Sequence, residues 1–314
     1  MLKGLGSKGW QRARRVLPGL LLAWLVACGG GSGQIEPFKP RQIIFVGDET
    51  VGLLPSGGRR IGINFINTDN NFDCAQLPIW SQQLASSFGF ASDNCNSPGA
   101  PGVTRAFDKA KVADLEGQIS AQAAASGITS KDLFVVTVGM NDIIELYEQF
   151  PAHSEAELTA ELSARGTAVA SQVNRIVGAG GRVLLSTVHD LSVTPYAIAQ
   201  RASHNDTDRA ALISRLTQAF NARVRVDILQ DGRFIGLVLA DDDTQAIVRS
   251  PGSFGLGNVT DPACAVAPPA CDTTTLVSGA TSGTHLWADD RHFGPVMHNQ
   301  IASQAITRAR NNPF

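Results

Sequence analysis

Four short runs of almost unbroken apolar or β-branched residues mark the chain: "QIIFV" at 42–46, "LFVVTV" at 133–138, "RVLLSTV" at 182–188 and "FIGLVLA" at 234–240. Runs without polar alternation are the pattern of strands covered on both faces, as in a parallel sheet. Helical patterns lie between them. "PIWSQQLASSFG" places Pro78 in a first turn, "VADLEGQISAQAAASG" stops at a glycine, and the long segment from Ser154 opens with Glu157 three residues on, a capping-box spacing, and closes at Gly178. "DTDRAALISRLTQAFNARVRVDILQ" and the C-terminal "PVMHNQIASQAITRAR" complete the set. Strand and helix in alternation predict a three-layer α/β/α sandwich with a mainly parallel, flavodoxin-like sheet and right-handed crossovers.

In such sheets ligands bind beyond the carboxyl ends of the strands. The first strand ends in Gly47-Asp48-Glu49-Thr50 and the second in Gly139-Met140-Asn141-Asp142, so both polar clusters are expected to face one crevice. A third cluster, "HLWADDRHFGP" at 285–295, precedes the last helix and sets Asp289 three residues from His292.

The N-terminus changes the picture of where the domain begins. Lys3, Lys8, Arg12, Arg14 and Arg15 precede the apolar "VLPGLLLAWLVAC" with no acid among them, the pattern of a secretory signal. The apolar stretch falls short of the roughly 20 residues of a membrane-spanning helix. "LVAC" followed by "GGGSG" resembles a bacterial lipoprotein cleavage box, which makes residues 1–27 a signal peptide and Cys28 the lipid-bearing first residue. Residues 28–41 then form a flexible tether and 42–314 one large domain. A lipid anchor in the bacterial cell envelope, at the outer membrane, is the expected location. Removing five basic residues takes the net charge from -2 to about -7, which argues against nucleic acid as a partner.

Of the remaining cysteines, Cys74 with Cys95 and Cys264 with Cys271 would each close a local loop, and disulfides are expected in an exported protein. Zinc is the alternative, but neither pair has the short Cys-x-x-Cys spacing with nearby histidine that it usually takes. Nothing in the sequence calls for a metal or a cofactor.

The three polar blocks, in this order and at strand ends, resemble the SGNH or GDSL hydrolase family, in its bacterial lipase-esterase branch. "LTQAFNARV" and "PGSFGLGNVTDPAC" add to the likeness, which runs from about residue 42 to 308. Carried over by position, the resemblance implies His292 as general base, Asp289 as its orienter, and Asn141 with a loop glycine as oxyanion donors. Gly99 is the preferred glycine and Gly102 its rival, while Asp48 and Thr50 are expected to line the binding surface. The family's serine position holds Glu49.

A glutamate attacking an ester would give a high-energy mixed anhydride, and its charge opposes oxyanion build-up. Paired with His292 it would favour imidazolium, which is no base. Thr50 is a conceivable displaced nucleophile. Two readings follow: an envelope esterase or lipase acting on ester bonds of lipid or acyl substrates, and a non-catalytic lipoprotein that binds a lipid, acyl or glycan ligand. The surroundings of Glu49 decide between them.

Overall fold

The computed structural model describes residues 37–311 apart from 56 and 96–98. The expected signal segment, Cys28 and the first part of the expected tether lie outside this range. Five parallel strands form the central sheet: β1 (Gln42–Gly47), β4 (Val103–Thr104), β5 (Asp132–Thr137), β6 (Arg182–Ser186) and β7 (Ile235–Val238), in the order β4-β1-β5-β6-β7. β2 (Phe90–Ala91) and β3 (Ala100–Pro101) form one small pair, β8 (Asn258–Pro262) and β9 (His285–Trp287) another.

Successive side chains of a strand point to opposite faces, and here each face has its own core. Ile44, Val46, Phe134, Val136, Val183 and Leu185 pack on one side with residues of α2 (Leu115–Ser126), α3 (Met140–Tyr147), α4 (Glu155–Gly178) and α6 (Arg209–Asp227). Ile43, Phe45, Leu133, Val135, Leu184 and Val238 pack on the other with α1 (Trp80–Ser87), α7 (Ala240–Arg249) and α8 (Pro295–Asn311). That is the three-layer α/β/α sandwich, and it explains why the strand runs lack polar alternation. Each such side chain, removed from water, contributes roughly 1.5–3 kcal/mol.

Local signals set the helix ends. Ser154 accepts from the Glu157 N–H while the Glu157 carboxylate takes the Ser154 N–H, the expected capping box. Two helices are additions: α5 (Pro195–Ser203), capped by Thr194, and α7. The apolar run at 234–240 reads as strand throughout, but β7 stops at Val238 and Ala240 opens a helix whose first turn carries Asp241, Asp242 and Asp243, charges that suit a helix N-terminus. The run at 182–188 likewise leaves the sheet after Ser186.

Both expected cysteine pairs are disulfides, Cys74–Cys95 and Cys264–Cys271, which leaves no thiolate for zinc among them. Cys74 and Cys95 pack with Leu53 and Ile79, pinning the loops beside the crevice. A closed loop of this length restricts the unfolded chain by about 3 kcal/mol.

Candidate active site

The site is built where β1 and β5 end. Gly47 has φ +122°, and a Cβ there would lie 1.8 Å from the Thr137 carbonyl oxygen, so only glycine lets the chain turn so close to β5. Gln118 holds the turn from beneath: its Oε1 accepts from Gly47 N–H at 2.7 Å and its Nε2 donates to Gly47 O at 3.0 Å. Asp48 then points inward. Fully buried, it accepts from the Thr50 N–H at 3.0 Å and from the Thr50 hydroxyl. Burial, then the adjacent Glu49 charge, push the Asp48 carboxyl well above its usual range. Asp48 and Thr50 therefore brace the turn instead of lining a binding surface, and the Thr50 hydroxyl is not directed at His292.

Glu49 is 4% exposed, and its carboxylate collects donors from three segments. Oε1 accepts from His292 Nε2 at 3.2 Å, Oε2 from the Lys109 N–H at 2.8 Å, and Asn141 Nδ2 reaches both oxygens at 3.2 Å. Burial alone would raise its pKa, yet the hydrogen bond and charge of His292 outweigh it and the shift is downward. Asn141 is the second residue of α3, a helix that Gly139 precedes at φ +124°. Asp142 couples α3 to the facing loop: one oxygen accepts from Val112 N–H at 3.0 Å and the other from Arg165 at 2.9 Å.

His292 lies between two carboxylates. Its Nδ1 is 2.7 Å from Asp289 Oδ2, and Asp289 Oδ1 is held by the N–H groups of His292 (2.7 Å) and Arg291 (3.0 Å). Burial by itself pushes the imidazole down, but the hydrogen bonds and charges of Asp289 and Glu49 carry it up to about 10. Asp289, whose burial is likewise outweighed by His292 and the two N–H groups, falls to about 2. At neutral pH the trio is carboxylate, imidazolium, carboxylate. With both ring nitrogens donating, His292 has no lone pair with which to take a proton.

Gly99 is not part of this cluster. It is exposed, with its backbone against Gly89, Phe90 and Ala91, and the N–H that meets Glu49 belongs to Lys109. Lys109 has φ +61°, a left-handed conformation uncommon for a lysine, so nothing in its residue type could have announced it. Two buried histidines also stand behind the site. His189 packs 4.5 Å from the Phe293 ring and His298 5.4 Å from it, and burial pushes each down to about 3, reinforced by the charge of His292 at His189 and by those of Arg60 and then His292 at His298. Both are neutral core residues.

The pH dependence follows from the sign of the His292 shift. An unfolded imidazole titrates near 6.5, and the folded one is raised to about 10, so its contribution to stability is full below about pH 6.5 and is lost as pH rises through about 10. Urea midpoints are expected to fall between pH 7 and 10, and more steeply than in a Glu49→Gln variant.

A parallel-sheet α/β/α domain with a His–Asp dyad, an asparagine donor and a strand-end acidic turn converging on one crevice defines the SGNH hydrolase class. The chain belongs to the GDSL-like lipase/acylhydrolase family, whose profile matches residues 57–305, a span that starts after the Gly47–Thr50 block. No curated protein sequence matches. Among solved structures it is similar to a lipase from a goat rumen metagenome (12% identity, TM-score 0.47, 84% of this chain and 96% of that one). It is also similar to a member of the lipolytic G-D-S-L family from Veillonella parvula (10%, 0.41, 84% and 96%) and to an acetylxylan esterase from Geobacillus stearothermophilus (14%, 0.40, 87% and 95%).

Proposed function

We propose that this chain is a cell-envelope lipoprotein whose GDSL-hydrolase domain has lost serine-type ester hydrolysis and retains its crevice for binding a lipid, acyl or glycan ligand. Glu49 stands where the family's strand-end block carries its serine. One observation carries the reading: the Glu49 carboxylate occupies the Asn141 amide and the Lys109 N–H while holding His292 as imidazolium. The donors that would meet an oxyanion are already engaged by a negative group, and the base is already protonated. The N-terminal basic and apolar run ending in "LVAC" supports export and acylation at Cys28, with the outer membrane as destination.

The test is hydrolysis of 4-nitrophenyl acetate and butyrate by the purified protein. Loss of a triad member leaves only about 10³ to 10⁴-fold over water, and the expected rate is no higher than that. A turnover of several per second that disappears in Asn141→Ala sinks the reading.

A further inference from the structure

The register of the sheet aligns the starts of its strands along one edge, with Gln42 opposite Asp132, Leu133 opposite Arg182, and Val183 opposite Ile235. The described chain enters at that edge, through Pro37 and Phe38. The loops there are basic. Lys39 and Lys131 are exposed, Arg182 lies over the rings of Phe38 and Phe234, and Arg233 is exposed beside it. The acids Asp132, Asp227 and Asp231 at this edge are paired with Arg41, Arg223 and Arg233. Helix α8 starts beside His292 at the other edge and ends in the exposed Arg308 and Arg310, the latter donating to Ser87 O. Two uncovered apolar side chains lie at this edge, in and just after the last turn of α6: Val226 is 67% and Leu229 45% exposed, and the Leu229 N–H is held by Asn174 near the end of α4. The opposite edge carries Glu49, Asp108, Asp289 and Asp290 around His292, Lys109 and Arg291, with Arg291 paired to Asp290.

We propose that the strand-start edge is the face this domain turns to an anionic phospholipid surface, and that the crevice therefore opens away from the bilayer that anchors the chain. The inference rests on the lipoprotein reading above. Charge and reach support it together. Eight residues lie between Cys28 and Pro37, and the nine steps from one to the other span at most about 30 Å. A domain of this size has a radius of gyration of roughly 19 Å, and β1 alone carries the chain about 20 Å from the entry edge to Glu49. The tether is thus short enough to keep the basic edge near the headgroups. Each lysine or arginine there strengthens the attraction about fivefold, and Val226 and Leu229 offer small apolar contacts at the same end. The ligand of the crevice is then drawn from the space on the far side of the domain and not from the lipids beneath it.

The acylated protein, purified from membranes, is reconstituted in vesicles of brominated phosphatidylethanolamine and phosphatidylglycerol, with a reporter indole introduced by Leu229→Trp or by Phe107→Trp. Phe107 is 45% exposed and lies at the crevice edge, where its N–H meets the Gly47 carbonyl. Emission from position 229 is expected to be quenched and that from position 107 unchanged. Quenching at 229 is expected to vanish when phosphatidylcholine replaces phosphatidylglycerol, and the docking equilibrium constant to fall about fivefold for each charge removed in Lys39→Gln and Lys131→Gln. Quenching at 107, at both positions alike, or at neither overturns the orientation, and quenching at 229 that persists in neutral vesicles overturns its electrostatic cause. The mass of the N-terminal peptide is read on the same sample. Absence of an acyl group on Cys28 brings down the anchor reading and this inference with it, an outcome distinct from an acylated protein that docks otherwise.

Discussion

Glu49→Ser is expected to raise ester hydrolysis at least about a hundredfold above the unmodified protein, since a working triad exceeds a broken one by orders of magnitude. Three effects act in the same direction. The Asn141 amide and the Lys109 N–H, both on the carboxylate now, become available to an oxyanion. One of the two anions that hold His292 near 10 disappears, and a neighbouring opposite charge is worth about 1–3 pKa units, so the imidazole moves toward the range in which it can accept a proton. The new hydroxyl replaces a group already within 3.2 Å of His292 Nε2. A fluorophosphonate probe read by mass spectrometry checks the assignment: label at position 49 is expected in the variant alone. A variant that folds, leaves the probe unreacted and hydrolyses no faster than its parent would mean that more than one residue separates this site from its working relatives.

His292→Ala has the second large effect, and it falls on stability. In a site with a neutral serine, removing the histidine strands one carboxylate; here it strands two, Glu49 and Asp289, both largely buried. Breaking a buried ion pair by removing one partner costs about 3–5 kcal/mol. The pH slope gives the cause away. In the parent Asp289 is depressed to about 2, so its contribution is present above the ordinary carboxylate range and is lost as pH falls through about 2. In the variant, burial without the imidazolium raises the carboxyl pKa values above their unfolded values, so the deficit appears as pH rises and shrinks as pH falls. Urea denaturation of both proteins from pH 4 to 8 measures it; a difference that is small or independent of pH contradicts the charged trio.

Much of this architecture could be read from residue order. The strands announced themselves because burial on both faces leaves apolar runs, and the crevice followed from the rule that parallel strands present their carboxyl ends to ligands. Asn141, Asp289 and His292 were legible because short spacings fix them: the asparagine follows a strand-end glycine, and the other two are held three residues apart by the Asp289 bonds to backbone N–H groups. The third donor was not legible. Lys109 acts through its backbone, in a conformation that glycine would have advertised and lysine conceals, while Gly99, which has the expected residue type, lies at the small β2–β3 pair. Asp48 misled for a related reason. A carboxylate at a strand end suggests contact with ligand, and only the turn forced by Gly47 shows that it points inward. Helix α7 was hidden because its start continues an apolar run, and the change of period becomes visible only after several residues.

Glu49 keeps His292 charged and engaged. Nitrogen-15 chemical shifts of the His292 ring, recorded between pH 6 and 9 on the folded protein, test it most directly. Two protonated ring nitrogens and no titration midpoint within that interval are expected, as befits an imidazole raised to about 10. A ring that loses a proton near the ordinary imidazole value, with Nε2 unprotonated at pH 8, would contradict it.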